Sequence, residues 1–216
     1  ISTLPHNHLR IATETIPGSS TATVGVWIDA GSRYETFHNN GAAHFLEHMA
    51  FKGTPSRSQY NLEIEIENMG GHLNAYTSRE QTVYFAKVFQ KDVDKAMDIL
   101  ADILLHSKLD PLAIHRERDV ILREMKEVNK HSEELVLDHL HATAFAGCGL
   151  GRTILGSESN ILSLSREDLR LYIDTHYLAP HMVIAGAGAV DHERLVELAQ
   201  RYFGNLRMEL NEEQKK

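Results

Sequence analysis

Residues 41–51 hold the strongest constraint on how this 216-residue chain can fold. His44, Glu47 and His48 sit there among Ala42, Ala43, Phe45, Leu46, Met49, Ala50 and Phe51. That apolar content predicts a substantially buried helix over residues 41–50, with Asn39 or Asn40 as its N-cap. In a helix the two histidines, at i and i+4, lie on one face about one turn apart. Burying two imidazoles and a carboxylate without partners costs several kcal/mol. The fold must therefore bring a second polar element against this helix.

Two imidazoles one turn apart can grip one metal ion together. A carboxylate three residues after the first histidine can reach past the metal to a bound water. The order H-x-x-E-H is the inverse of the commoner H-E-x-x-H, and both are spacings of zinc-dependent hydrolytic centres. A helix with merely solvated histidines is the bland alternative, and the apolar neighbours argue against it. A catalytic zinc takes three protein ligands and keeps one position open. The segment 111–129, opened by Pro111 in a first helical turn, offers Glu117, Glu124 and Glu127 for the third. Glu117 and Glu124 share a face with Ile121 and Val128, where carboxylates are uncommon without a charge partner. Spacing alone does not choose between them. Arg116, Arg118, Arg123 and Lys126 would equally suit a surface ion-pair helix.

Around this centre, segments 9–13 and 23–28 read as strands separated by the Pro17-Gly18-Ser19 turn. A second helix is expected at 58–69, stopped by Gly70-Gly71, then paired strands at 73–77 and 82–89. Helices follow at 93–105, 111–129 and 133–145, then a Gly-rich connection at 147–156. Ser165 with Asp168 resembles a capping box opening a helix to about residue 176. A strand at 182–189, a helix at 192–202 and a polar tail at 211–216 complete the chain. This order predicts an α+β fold, a two-layer α/β sandwich whose mixed, mainly antiparallel sheet is covered by helices. The net charge of −8 disfavours nucleic acid as a partner. No apolar stretch reaches the length of a transmembrane segment, and the opening residues lack the layout of a secretory signal. The single cysteine, Cys148, excludes an internal disulfide and a thiolate-based zinc site.

Five stretches carry a resemblance. His44 through Thr54, Gly70 through Glu80 and Glu117 through Glu124 resemble the pitrilysin family of inverted-motif zinc peptidases. Asp138 through Phe145 and Leu150 through Gly156 are similar to the branch of that family that processes mitochondrial presequences. The resemblance covers nearly the whole chain. It implies one Zn²⁺ per domain, held by His44, His48 and Glu124, with Glu47 as catalytic base and Glu117 as a nearby supporting carboxylate of the catalytic group. It implies that a peptide binds as an added strand beside a sheet edge, with Asn74 and Ala75 touching its backbone. Glu134 and Asp138, at i and i+4, would receive an arginine two residues before the cut. Phe51 would line the pocket after it. The plain alternatives are a hairpin role for Asn74, an exposed helix face for the two acids and a core position for Phe51.

The same resemblance implies a mitochondrial matrix setting, basic presequence peptides as substrates and a separate α subunit as partner. Its rivals are a core structural subunit of respiratory complex III, at the matrix face of the inner membrane, and a general peptide-degrading relative. Family members carry a second, similar half. Residues 1–207 are accordingly expected to form an N-terminal peptidase domain, and 208–216 a polar tail or the start of a linker. One departure stands out: where the family has an Asn-Gly turn this chain has Asn7-His8, which bears on the hairpin there.

Overall fold

The structure is a computed structural model that describes residues 1–209. The expected tail at 211–216 lies outside the described residues. Six strands form one sheet: β1 (Ser2–Thr3), β2 (Arg10–Thr15), β3 (Thr21–Ile28), β4 (His72–Thr77), β5 (Thr82–Phe89) and β6 (Met182–Gly188). Their order is β1-β2-β6-β3-β5-β4. Every pairing is antiparallel except β2 with β6. Alternating apolar residues set which face is buried. One row across the sheet runs Ile11, Ile184, Val26, Tyr84, Ala75, and its first four members are almost fully buried. A one-residue slip would turn this row to the opposite face, so the core fixes the register.

The helices are α1 (Ala42–Ala50), α2 (Gln59–Asn68), α3 (Val93–Leu105), α4 (Pro111–Val128), α5 (Ser132–Ala144), α6 (Glu158–Ser163), α7 (Arg166–His176) and α8 (His192–Phe203). α3 packs on β3 and β5, α8 on β2, and α1 against β4, α4 and α7. The mainly antiparallel α/β sandwich expected from the sequence is the observed architecture. Among the described residues β4 pairs only with β5, and its other edge is open. β6, from late in the chain, lies between β2 and β3, so early and late residues share one sheet. No described helix is long and apolar enough to cross a membrane.

Two local expectations need correction, and the Asn7-His8 departure is resolved. The N-cap of α1 is neither Asn39 nor Asn40 but Gly41, in a left-handed conformation at φ 105°. A side chain there would meet the carbonyl oxygen of Leu155 at 2.7 Å, which explains the glycine. The Asn7-His8 turn keeps a tight hairpin: Leu4 N–H donates to the Leu9 carbonyl and His8 N–H to the Leu4 carbonyl. His8 does so at φ 61°, a region that favours glycine. Asn7 is buried and anchors the turn by donating to the Phe203 carbonyl at 3.0 Å. Finally, α6 and β1 form where no element was expected. Ser157 caps α6 by accepting from Asn160 N–H, and β1 is only two residues long.

Candidate metal centre

α1 and α4 cross so that three donors converge. His44 Nε2 lies 3.4 Å from Glu124 Oε1, and His48 Nε2 lies 3.2 Å from Glu124 Oε2. The ring centroids of the two histidines are 4.7 Å apart. All three ligand atoms lie within 4.8 Å of one another. Two ligands about 2.05 Å from a tetrahedral zinc stand about 3.3 Å apart, so the histidine–carboxylate spacings fit that ion. Two imidazoles and one carboxylate are also a ligand set of catalytic zinc sites. Burial pulls the His48 pKa down, but hydrogen bonds and charge from Glu124 and Glu117 outweigh it and the net shift is upward. Glu124 is held well below the usual carboxylate range by hydrogen bonds from His44 and His48. Of the two glutamates that spacing left open, Glu124 is the one between the imidazoles.

Glu117 stands behind this set, buried and one α4 face-repeat earlier. Its Oε1 is 2.9 Å from His48 Nδ1, and its Oε2 is 2.8 Å from Lys52 Nζ. A carboxylate on the far nitrogen of a ligand imidazole fixes tautomer and ring orientation. Both Glu117 oxygens are committed, so its geometry is that of a positioning group rather than a second base. His44 has no such partner: its Nδ1 is buried without a hydrogen bond among the described residues.

Glu47, on the same helix between the two histidines in sequence, is half-buried. Tyr84 and Tyr177, both buried, interact with each other and feel its charge. Burial, opposed by the Tyr84 bond and reinforced by Glu47, pushes Tyr177 up to about 12. Both phenols therefore stay neutral at ordinary pH. Sequence reasoning missed these tyrosines because nothing in their spacing links them to α1.

The entry to α1 is held by a second buried acid that the sequence did not reveal. Glu35 accepts from Asn40 Nδ2 at 2.7 Å, Gly41 N–H at 2.9 Å and Ala43 N–H at 2.7 Å. It thereby satisfies donors that the first turn of α1 would leave orphaned. Burial pushes its pKa up to about 7 despite these bonds and the charge of Arg152. Thr54, Asp98, Asp102 and Glu65 surround Arg57 at the exit of α1 and tie it to α2 and α3.

The expected substrate residues surround this centre unevenly. Asn74 and Ala75 lie on the open edge strand β4, and Asn74 Oδ1 accepts from Ala75 N–H at 2.9 Å. Phe51 is half-buried, 6.4 Å from the Tyr84 ring, and lines a groove of about 310 Å³ with Leu62, Ile66 and Leu73. Glu134 is exposed on α5. Asp138 is already ion-paired with Arg79, so the two acids are not an equivalent free pair. A larger cavity of about 550 Å³, lined by Arg57, Asp98 and Arg170, includes none of the metal donors.

Comparison with known proteins bears on this arrangement. A profile of the insulinase family, peptidase family M16, matches residues 10–158, and a profile of the M16 inactive domain matches 163–215. The chain is 64% identical over 211 residues to the mitochondrial-processing peptidase subunit beta of Lentinula edodes, covering 98% of this chain and 45% of that protein. It is 61% identical over 205 residues to the same subunit of Saccharomyces cerevisiae, covering 95% and 44%. It is 62% identical over 197 residues to that of Homo sapiens, covering 91% and 40%. The chain thus spans less than half the length of these relatives. Among solved structures, a protease from Helicobacter pylori superposes with a TM-score of 0.87 at 25% identity, over 98% of this chain and 51% of that one. A chain of complex III2 from Candida albicans gives 0.79 at 23% identity, over 98% and 48%, a likeness of fold.

Proposed function

The chain belongs to the insulinase family of peptidases, M16, and from that membership we propose that it is the metal-bearing part of a zinc endopeptidase that removes basic N-terminal presequences from proteins imported into mitochondria. The observation that carries the reading is the meeting of His44, His48 and Glu124 with Glu47 alongside. Family membership implies a divalent metal, and these three residues would hold zinc. When bound, zinc polarises a peptide carbonyl and lowers the pKa of water.

The chain's own residues supply the rest. Glu47 takes a proton from the attacking water and delivers it to the leaving amine. Glu117 keeps the His48 ring in one orientation and one tautomer. The open edge of β4 pairs with the peptide backbone and lays the scissile bond across α1. Asn74 and Ala75 are the backbone contacts in this reading. Glu134 and Asp138 receive a substrate arginine, with Arg79 yielding its hold on Asp138. Phe51 meets the residue after the cut. We take residues 1–207 as one folded unit, because β6 completes the sheet that β2 and β3 begin. A separate α subunit as partner and a place in the mitochondrial matrix belong to the same proposal. Association with complex III at the inner membrane is compatible with it, since an intact donor set is what activity needs.

The test uses the full-length subunit with its α partner. Wild type should carry one zinc and cut peptides bearing arginine two residues before the cleavage site. Glu124→Gln should lose both zinc and cleavage. A zinc-free, inactive wild type, or cleavage indifferent to that arginine, would defeat the proposal.

A further inference from the structure

We propose that Lys52 is a positioning residue of the metal centre, acting on the ligand His48 through Glu117. The inference rests on the metal-site reading above and extends it by one residue. α1 ends at Ala50, yet the chain keeps a helix-like course: Lys52 N–H donates to the Met49 carbonyl at 3.1 Å. Lys52 therefore lies one turn beyond His48 on the same side. Glu117 reaches across from α4 and bridges the two, Oε1 to His48 Nδ1 at 2.9 Å and Oε2 to Lys52 Nζ at 2.8 Å.

Electrostatics explains why the bridge needs both ends. The Glu117 side chain is only 6% exposed. A buried carboxylate needs a compensating charge as well as hydrogen bonds. The imidazole N–H provides a bond but, while the ring serves as a ligand, no charge. Glu124, the next acid on this face of α4, has the same sign. Among the described residues, Lys52 is the one lysine or arginine in ion-pair contact with Glu117. Arg118, its α4 neighbour, turns away to the Leu164 carbonyl. Lys52 thus supplies the opposite charge beside Glu117 and pins Oε2. With Oε2 pinned, Oε1 stays aimed at Nδ1 and the His48 ring presents Nε2 to the metal. His44, whose Nδ1 has no hydrogen bond among the described residues, gains nothing comparable.

The test is a double-mutant cycle read as zinc affinity by chelator competition at one pH, on the full-length subunit with its partner. Outer partners of ligand histidines are typically worth about 10–100-fold in metal affinity. Lys52→Met should weaken zinc binding about 10-fold, whereas Lys52→Arg should stay within about 3-fold of wild type. Glu117→Gln should also weaken binding, and adding Lys52→Met to it should cost nothing further, because Lys52 acts only through Glu117. If Lys52→Met does not fold, Lys52→Gln takes its place in the same cycle. Wild-type affinity in the Lys52 variant, or losses that multiply in the double variant, would overturn the inference. A wild type that binds no zinc, or a His44→Ala variant that binds it undiminished, would instead overturn the metal-site reading beneath it.

Discussion

Replacing Glu35 by alanine should cost more stability than its position in a loop suggests. The carboxylate accepts two backbone donors, Gly41 N–H and Ala43 N–H, and the Asn40 amide. Asn40 keeps a second acceptor, the Thr153 carbonyl at 2.9 Å. The two backbone groups have none once the side chain is gone. Each orphaned buried donor costs about 1–3 kcal/mol. Against this, alanine relieves the desolvation that pushes Glu35 up to about 7. The net loss should be about 2–4 kcal/mol near neutral pH, a large share of a typical 5–15 kcal/mol total. The pH dependence has a definite sign. A carboxyl raised from 4.5 to about 7 in the folded state contributes stability that is full below the unfolded pKa and lost as pH rises through 7. Urea unfolding of both proteins at pH 5.5 and pH 8 should therefore show the larger gap at pH 5.5, with m unchanged. Zinc affinity should fall as well, since α1 carries both histidines. A gap under about 1 kcal/mol at both pH values would refute the view that this carboxylate anchors the metal helix.

Other perturbations probe separate parts of the account. His8→Gly should stabilise the chain by about 0.5–1 kcal/mol, because glycine relieves the left-handed strain at φ 61°; an unchanged or lowered melting temperature would count against that strain. His176 packs against Tyr172 with ring centroids 4.4 Å apart, and burial, aided by His181, lowers its pKa from 6.5 to about 4. Its neutral form is thus favoured in the fold, so stability is full above 6.5 and drains as pH falls toward 4. A melting-temperature profile should flatten across that window in His176→Phe; parallel profiles would contradict it. In the full-length enzyme, Asp138→Asn should raise KM for substrates with arginine before the cut about 10-fold and spare those without it. Arg79→Met should lower KM for the arginine substrates by releasing Asp138, and equal effects on both substrate classes would remove these residues from specificity.

Local periodicity made most of the architecture legible. The helix at 93–105 and the strand at 82–89 appear within the bounds that apolar spacing indicated, and Ser165 with Asp168 forms the expected capping box. The i, i+4 histidines announced themselves because a helix alone brings them together. What stayed hidden depends on contacts distant in sequence. Glu35 caps α1 from a preceding loop, a role usually sought in Asn39 or Asn40. Lys52 and Glu117 meet only because α1 and α4 cross. Proposing Glu124 rather than Glu117 as third ligand needed the resemblance first and the crossing of the two helices afterwards. Arg79 occupies Asp138 across 59 residues of chain, so the acid pair on α5 looked freer in the sequence than it is. His8 kept the hairpin without the family's glycine because Asn7 is tied to the end of α8.

The most direct measurement separates metal holding from proton transfer at Glu47. In the full-length subunit with the proposed α partner, Glu47→Gln should bind zinc with wild-type stoichiometry and affinity, because the three proposed donors are His44, His48 and Glu124. Peptide hydrolysis should fall by at least about 10²–10⁴-fold, the usual contribution of a positioned general base. Turnover close to wild type in a zinc-loaded Glu47→Gln enzyme would contradict the account.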